Sequence, residues 1–276
     1  MDPLSLLWLF FILASLQPAV QRQSLMVRRR YAMASLARER GATVINLIHR
    51  QESMALFGFP IVRYIDIDDA EGILRAIGDT PQGRPIEIIL HTPGGLVLAA
   101  QQIASALADH DGRVTAVVPH YAMSGGTLIA MAADEIVIDA HAALGPVDPQ
   151  LGEYAARSLV RVASLPGEHE DRTLLLADVG RMAITQVEAF VVTLLERRMP
   201  PARAVAVATL MATGTWTHDH PLQARDLVQL GLPIKIGVPT AERELMTLYP
   251  QPRGRPSPVE YVPAAPPGMP TRRAKQ

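Results

Sequence analysis

Two short glycine-rich motifs carry the chemistry open to this chain. They are His91-Thr92-Pro93-Gly94-Gly95 and Ala122-Met123-Ser124-Gly125-Gly126. Each follows an apolar run that reads as a strand, and each opens an apolar pattern of helical period. A strand-to-helix turn leaves backbone N–H groups free, and a helix N-terminus favours negative charge. Glycine lets a substrate carbonyl come close to such a turn. The second motif adds a hydroxyl at the same place. Free backbone donors beside a Ser are the parts of an acyl-transfer site, a nucleophile and an oxyanion hole. Taken alone, Ser124 reads as a helix N-cap and the glycines as tightly packed turns. The presence of both turns favours the nucleophile.

The elements that must position these turns follow from periodicity. Residues 42–49 and 61–67 read as strands. Residues 68–77 read as a helix capped by Asp69, with Ile73, Leu74 and Ile77 on one face. A buried strand at 86–90 leads into the first turn and an apolar helix at 96–108 leaves it. A strand at 114–118 leads into the Ser124 turn, a helix at 127–133 follows, and a strand at 136–138 closes the unit. Strands alternating with helices imply a parallel sheet with right-handed crossovers. Both glycine turns then reach the same sheet end, where open α/β sheets bind ligands. Beyond Gly152 the pattern turns helical, with helices expected at 171–195, 202–211, 221–231 and 241–248 and a strand at 234–238. From Pro250 onward prolines recur at 252, 256, 258, 263, 266, 267 and 270, which predicts an extended or disordered tail.

Composition excludes several classes. The chain has 276 residues, a net charge of -1 and no Cys. Disulfides, thiol catalysis and Cys-based zinc sites are ruled out, and the charge balance gives no case for nucleic acid. The only lysines are Lys235 and Lys275. Residues 4–16 (LSLLWLFFILASL) are apolar apart from Ser5 and Ser15, and the run reaches Val20 if Gln17 and Pro18 are tolerated. A spanning helix needs roughly 20 residues, with about 17 as the lower edge. Arg22, Arg28, Arg29, Arg30, Arg38 and Arg40 follow, against Glu39 alone, whereas Asp2 is the only charge before the run. The positive-inside rule puts the N-terminus outside and the main domain in the cytoplasm. A cleaved signal peptide wants its positive charge on the other side. The expected division is a single-pass membrane anchor at 1–23, a basic juxtamembrane helix on anionic lipid at 24–41, the main domain at 42–249 and a Pro-rich tail at 250–276.

The motifs, in this order, resemble the ClpP/crotonase-like serine peptidases, and within them the serine dehydrogenase proteinase family of membrane-anchored members, related to signal peptide peptidase A. The resemblance covers roughly residues 40–250. It rests on the two glycine motifs, on Leu144-Gly145-Pro146-Val147-Asp148-Pro149-Gln150, and on Thr217-His218-Asp219 ahead of Pro221 and Gly231-Leu232. It implies an α/β fold with a ClpP/crotonase-like parallel-sheet spiral core behind an N-terminal transmembrane helix. It also implies a serine endopeptidase that uses no cofactor or metal and acts on peptide or protein as a homo-oligomer. Ser124 would be the nucleophile, the N–H groups of Gly95 and Gly125 the oxyanion hole, and Asp219 the acid.

The general base stays open. A Clp-type site would place a His near Asp148, and signal peptide peptidase A uses a Lys, but residues 150–234 contain no Lys. Arg181 on the corresponding helix cannot give up a proton at neutral pH. Lys235 sits in a short strand. His218 is the first choice because it adjoins Asp219, with His220, His91, His120 and His141 behind it. Asp148 reads as a turn residue before Pro149, and would serve as a base only if buried. His49 and Arg50, at the end of the first strand, are candidates for substrate or subunit contact. Glu168-His169-Glu170-Asp171 reads as solvated surface rather than a metal site. Two rival functions remain. One is a catalytically inactive scaffold or peptide-binding protein at the membrane. The other is a crotonase-like acyl-CoA enzyme, which the Ser and the apolar N-terminus disfavour.

Overall fold

The computed structural model describes residues 3–49, 55–56, 59–60 and 63–249; the side chains of residues 3–16, 18, 19, 22, 55, 56, 59 and 60 lie outside the described set. Helix α1 (Pro3–Arg40) is continuous across the boundary expected at residue 23. The apolar run at 4–16 falls on side chains outside the described set. Among the described residues no helix is long and apolar enough to cross a membrane, so the expected N-terminal transmembrane helix has no support in the fold. Arg50 and the 250–276 tail also lie outside the described residues.

After α1 come β1 (Thr43–Ile48), the short pair β2 (Ala55–Leu56) and β3 (Phe59–Pro60), α2 (Ile67–Gly78), β4 (Ile86–His91) and α3 (Val97–Ala108). Next are β5 (Val114–Val118), β6 (Tyr121–Ala122), α4 (Gly125–Met131), β7 (Glu135–Ile138), β8 (Ala143–Leu144), β9 (Gln150–Leu151) and β10 (Tyr154–Ala155). The C-terminal part holds α5 (Ala156–Ala163), α6 (Asp171–Leu195), α7 (Pro201–Ala212), β11 (Leu222–Gln223), α8 (Ala224–Leu230), β12 (Ile234–Ile236) and α9 (Thr240–Thr247).

The main sheet is five-stranded and parallel, in the order β1-β4-β5-β7-β12. Strand residues alternate between its faces. Ile45, Leu47, Ile86, Ile88, Leu90, Val114, Ala116, Ile136 and Ile138 join the larger core, packed with residues of α2, α3, α4, α6 and α7. Ile89, Val117 and Val137 point the other way, against Leu36 of α1 and Leu245 and Met246 of α9. Both faces are covered, which is why the strands read as continuous apolar runs. A small sheet, β11-β8-β6, stands beside the strand ends that lead into the two glycine turns.

Three local expectations need correcting. Of the strand expected at 61–67, residues 61–62 lie outside the described set and residues 63–66 form none: Ile65 makes an isolated bridge to Gly95, and α2 begins at Ile67. The cap of α2 is Asp66, not Asp69. Asp66 Oδ1 accepts the Asp69 N–H at 3.0 Å, and Asp69 Oδ2 accepts the Asp66 N–H at 3.1 Å. This reciprocal capping box ends any strand at Ile65. The expected helix at 221–231 is shorter, because Leu222–Gln223 pairs with Ala143–Leu144 before α8 starts; Gly231, at φ 86°, ends it as expected.

Candidate active site

Ser124 sits between β6 and α4 at φ 51° and ψ -117°, and it is the only non-glycine residue with positive φ among those described. Holding a residue there costs of order 1–3 kcal/mol, which persists only where the surroundings over-determine it. Its neighbours do so. Met123 donates its N–H to Thr92 O at 2.9 Å, and Gly126 donates back to Met123 O at 2.8 Å. The Ser124 hydroxyl makes no capping hydrogen bond to α4, so the simplest structural use of a Ser at this turn does not apply.

The glycines are required by close approach. A Cβ on Gly126 would meet Thr92 Cγ2 at 2.6 Å, and one on Gly94, itself at φ 104°, would meet Ser124 Cβ at 2.7 Å. A Cβ on Gly95 would lie 2.3 Å from the Ile65 backbone. Ile65 accepts from the Leu96 N–H and donates to Gly94 O, each at 2.8 Å. In a trans peptide the C=O and the following N–H point in opposite directions. Gly94 O faces Ile65, so the Gly95 N–H faces away from it, toward α4. Among the described residues neither the Gly95 nor the Gly125 N–H donates a hydrogen bond. The Gly95 nitrogen lies 3.7 Å from the position a Cβ on Gly125 would take. Two free donors therefore sit together beside Ser124.

A cavity of about 260 Å³ opens at this point, lined among others by Gly95, Ser124, Gly125, Asp148 and His218, with Tyr64, Leu128, Val147 and Val187 as its apolar walls. Asp148, 3 % exposed, accepts at Oδ1 from His218 Nδ1 at 2.9 Å and at Oδ2 from Gln150 Nε2 at 2.7 Å. An ionised carboxylate only accepts, so this pairing places the imidazole proton on Nδ1 and leaves Nε2 with its lone pair. Thr127, fully buried, fastens the loop that carries Asp148. Its hydroxyl oxygen lies 2.8 Å from Ala122 O and 2.9 Å from Gly145 O, and accepts the Gly145 N–H at 3.1 Å.

Of the residues singled out in the sequence, Ser124, Gly95, Gly125, His218 and Asp148 share this cavity. Asp219 is exposed in the turn at 217–220 and does not line it. His220 stacks on Trp216 at 5.7 Å. His91 is buried at the end of β4 with its ring 4.4 Å from Tyr121 and 5.5 Å from His120, away from the cavity lining. His141 and Lys235 are exposed, and Arg181 pairs with Asp178 on the surface of α6. His49 is buried and does not line the cavity. Among the described residues no group of His, Asp and Glu could hold a metal ion. Thr92 and Thr127 were not legible as site-building residues; their only signal is their position inside or just after a glycine motif.

The chain resembles several known proteins. The uncharacterized protein MJ0137 of Methanocaldococcus jannaschii is 46 % identical over 271 residues, 95 % of each chain. The uncharacterized protein MJ1495 of the same organism is 45 % identical over 257 residues, covering 93 % of this chain and 88 % of its own. Among solved structures, a mutant of the 1510-N membrane-bound stomatin-specific protease matches at 18 % identity and a TM-score of 0.47, over 74 % of this chain and 82 % of that one. The family described as ClpP-like SDH-type serine proteinase matches residues 1–275. With its α/β parallel-sheet fold and its serine turn, the chain belongs to the ClpP-like SDH-type serine proteinase family.

Proposed function

We propose that the protein is a serine endopeptidase that cleaves peptide bonds by acyl transfer through Ser124, with His218 as general base and Asp148 as the carboxylate that orients it. The observation that carries this reading is the His218–Asp148 pair, 2.9 Å apart, in the cavity that also holds Ser124. Ser124 Oγ attacks the substrate carbonyl and passes its proton to His218 Nε2, while Asp148 keeps Nδ1 protonated. The oxyanion forms against the Gly95 and Gly125 N–H groups. His218 returns the proton to the leaving amine, and the ester on Ser124 is then hydrolysed by water activated at the same Nε2. Asp219 has no part in this scheme. Its exposure argues for Asp148 in the role that the resemblance gave to Asp219.

The apolar residues 4–16 and the arginines after them support a membrane anchor with the peptidase domain on the cytoplasmic side, and contact between the basic part of α1 and anionic lipid. Leu174, Leu175, Val179 and Met182, exposed along α6, support a homo-oligomer. The test is covalent labelling of the detergent-solubilised protein with a fluorophosphonate, comparing wild type with Ser124→Ala and His218→Ala. Labelling of wild type that disappears in Ser124→Ala and falls sharply in His218→Ala is the expected result. A folded wild type that takes no label would favour the inactive scaffold instead.

A further inference from the structure

Three polar side chains that the acyl-transfer scheme does not use form a line beneath the first glycine turn. Asp69 Oδ2 lies 3.1 Å from His49 Nε2, His49 Nδ1 lies 2.9 Å from Thr92 Oγ1, and Thr92 Oγ1 accepts the Gly94 N–H at 3.2 Å. His49 is 4 % exposed and Thr92 is fully buried. We infer that His49, oriented by Asp69, positions the oxyanion-binding turn through the Thr92 hydroxyl. This inference rests on the oxyanion role assigned above to Gly95. His49 is a positioning residue in this scheme and touches no substrate.

The hydrogen bonds run in one direction along the line. An ionised Asp69 can only accept, so the His49 proton sits on Nε2 and Nδ1 offers a lone pair. The Thr92 hydroxyl then donates to Nδ1 and turns its own lone pairs toward the Gly94 N–H. Burial works against the Asp69 charge, but the bond from His49, the bond from the Asp66 N–H and the charge of Arg63 outweigh it and hold this carboxyl below its ordinary range. The line therefore begins at a fixed acceptor.

The consequence falls on the peptide between Gly94 and Gly95. Its carbonyl is held by the Ile65 N–H at 2.8 Å, and the preceding N–H is held by Thr92. Gly94 stands at φ 104°, where a glycine backbone is free to swing. Two bonds, one on each side of that residue, remove the freedom and aim the Gly95 N–H at the cavity. Both come from the same stretch of chain: Ile65 through its backbone, and Asp69, in the first turn of α2, through His49 and Thr92. Preorganised donors are what such a hole needs, since a donor that must first be oriented loses much of its effect.

Thr92 allows the two uses of one side chain to be separated. Its methyl packs where a Cβ on Gly126 would collide, and its hydroxyl carries the line to Gly94. Thr92→Val keeps a methyl there and removes the hydroxyl; Thr92→Ser does the reverse. The readout is the fluorophosphonate labelling rate of the folded protein, followed beside its melting temperature. Thr92→Val should label about 10- to 100-fold more slowly than wild type, less than the full loss of an oxyanion donor. Thr92→Ser should recover most of that rate while melting at a lower temperature than wild type. His49→Ala should slow labelling by a similar factor, and His49→Ala with Thr92→Val should be no slower than the slower single variant, because both cut the same line. Equal, wild-type-like rates in Thr92→Val and Thr92→Ser would overturn the inference, as would multiplying effects in the double variant. If wild type takes no label, or Ser124→Ala labels equally, the peptidase reading fails by itself. Amide hydrogen exchange over residues 91–96 then decides the positioning role: faster exchange in Thr92→Val than in Thr92→Ser supports it, and equal exchange overturns it.

Discussion

Strands β1 and β4 have a polar cluster at each end, each only partly buried, and the two clusters are built on opposite rules. At the ends that lead into the site, Asp69, His49 and Thr92 form a line in which each polar atom meets a partner of the right kind. At the starting ends, Arg40 of α1 lies 2.6 Å from Glu242 of α9 and 3.7 Å from both Glu87 of β4 and Glu39 of α1. One guanidinium faces three carboxylates there, and Glu87 Oε1 and Glu242 Oε2 are buried without a hydrogen-bond partner among the described residues. Directed hydrogen bonds between complementary groups fix a geometry. An excess of acid of which two carboxylates, Glu87 and Glu242, are buried makes a titrating joint instead. The first arrangement suits an end that must aim atoms, the second an end that only has to hold α1 and α9 against the sheet.

The largest expected effect sharpens this contrast from the catalytic side. Asp148→Asn keeps the shape of the buried carboxylate but allows its amide to donate to His218, which favours the tautomer that blocks Nε2. Labelling and peptide hydrolysis should fall by about 10³- to 10⁴-fold. A variant that hydrolyses peptides at near wild-type rates would show that Asp148 is only a loop anchor.

Glycine substitutions divide the two ends by stability. Gly95→Ala places a Cβ 2.3 Å from the Ile65 backbone, which cannot move without pulling on the cap of α2. About 3 kcal/mol or more of stability should be lost. At the other end, a Cβ on Gly41, next to Arg40, would meet nothing within 4 Å, and the φ of 61° is the sole obstacle. Gly41→Ala should cost about 1 kcal/mol. Denaturant unfolding of both variants measures the gap, and equal losses would break the comparison.

The sequence reveals these two ends unequally. Alternating apolar strands and helices made the parallel sheet legible, and two glycine turns at matching places in successive units made Ser124, Gly95 and Gly125 legible with it. His218 and Asp148 were each singled out, but their pairing was not, because it joins residues 70 apart on two loops whose approach no periodicity records. Asp219 took the acid's place through the resemblance, from its spacing ahead of Gly231-Leu232, although adjacent residues do not easily pair side chain to side chain. Asp69 looked like the cap of α2 because a capping box has an acceptor at both of its ends, and the pattern does not say which one starts the helix. His49 ends a strand, as read, but a strand end is equally a place for an exposed and for a buried residue. Glu87 gave no signal, since a single acid in an apolar strand is ordinary at an edge, and β4 is an inner strand.

The smallest effect concerns Glu87 and tests the joint directly. Burial, and then the nearby Glu242 charge, push its carboxyl up to about 7 against the pull of Arg40. The folded protein therefore keeps this proton at pH values where the unfolded chain has already released it. The sign follows: the contribution to stability is fully present below the ordinary carboxyl range and is lost as pH rises through about 7. Wild type should lose about 1–2 kcal/mol of stability between about pH 5 and pH 8 from this group. Glu87→Gln mimics the protonated form at every pH, so its stability should be flatter over that interval and exceed that of wild type at the alkaline end. Labelling of Ser124 should not change, because the substitution lies at the far end of β4 from the glycine turn. Thermal melts at several pH values on both proteins decide it. An unchanged slope in Glu87→Gln would show that Glu87 does not carry the pH dependence, and a changed labelling rate would mean that the two ends of the sheet are coupled.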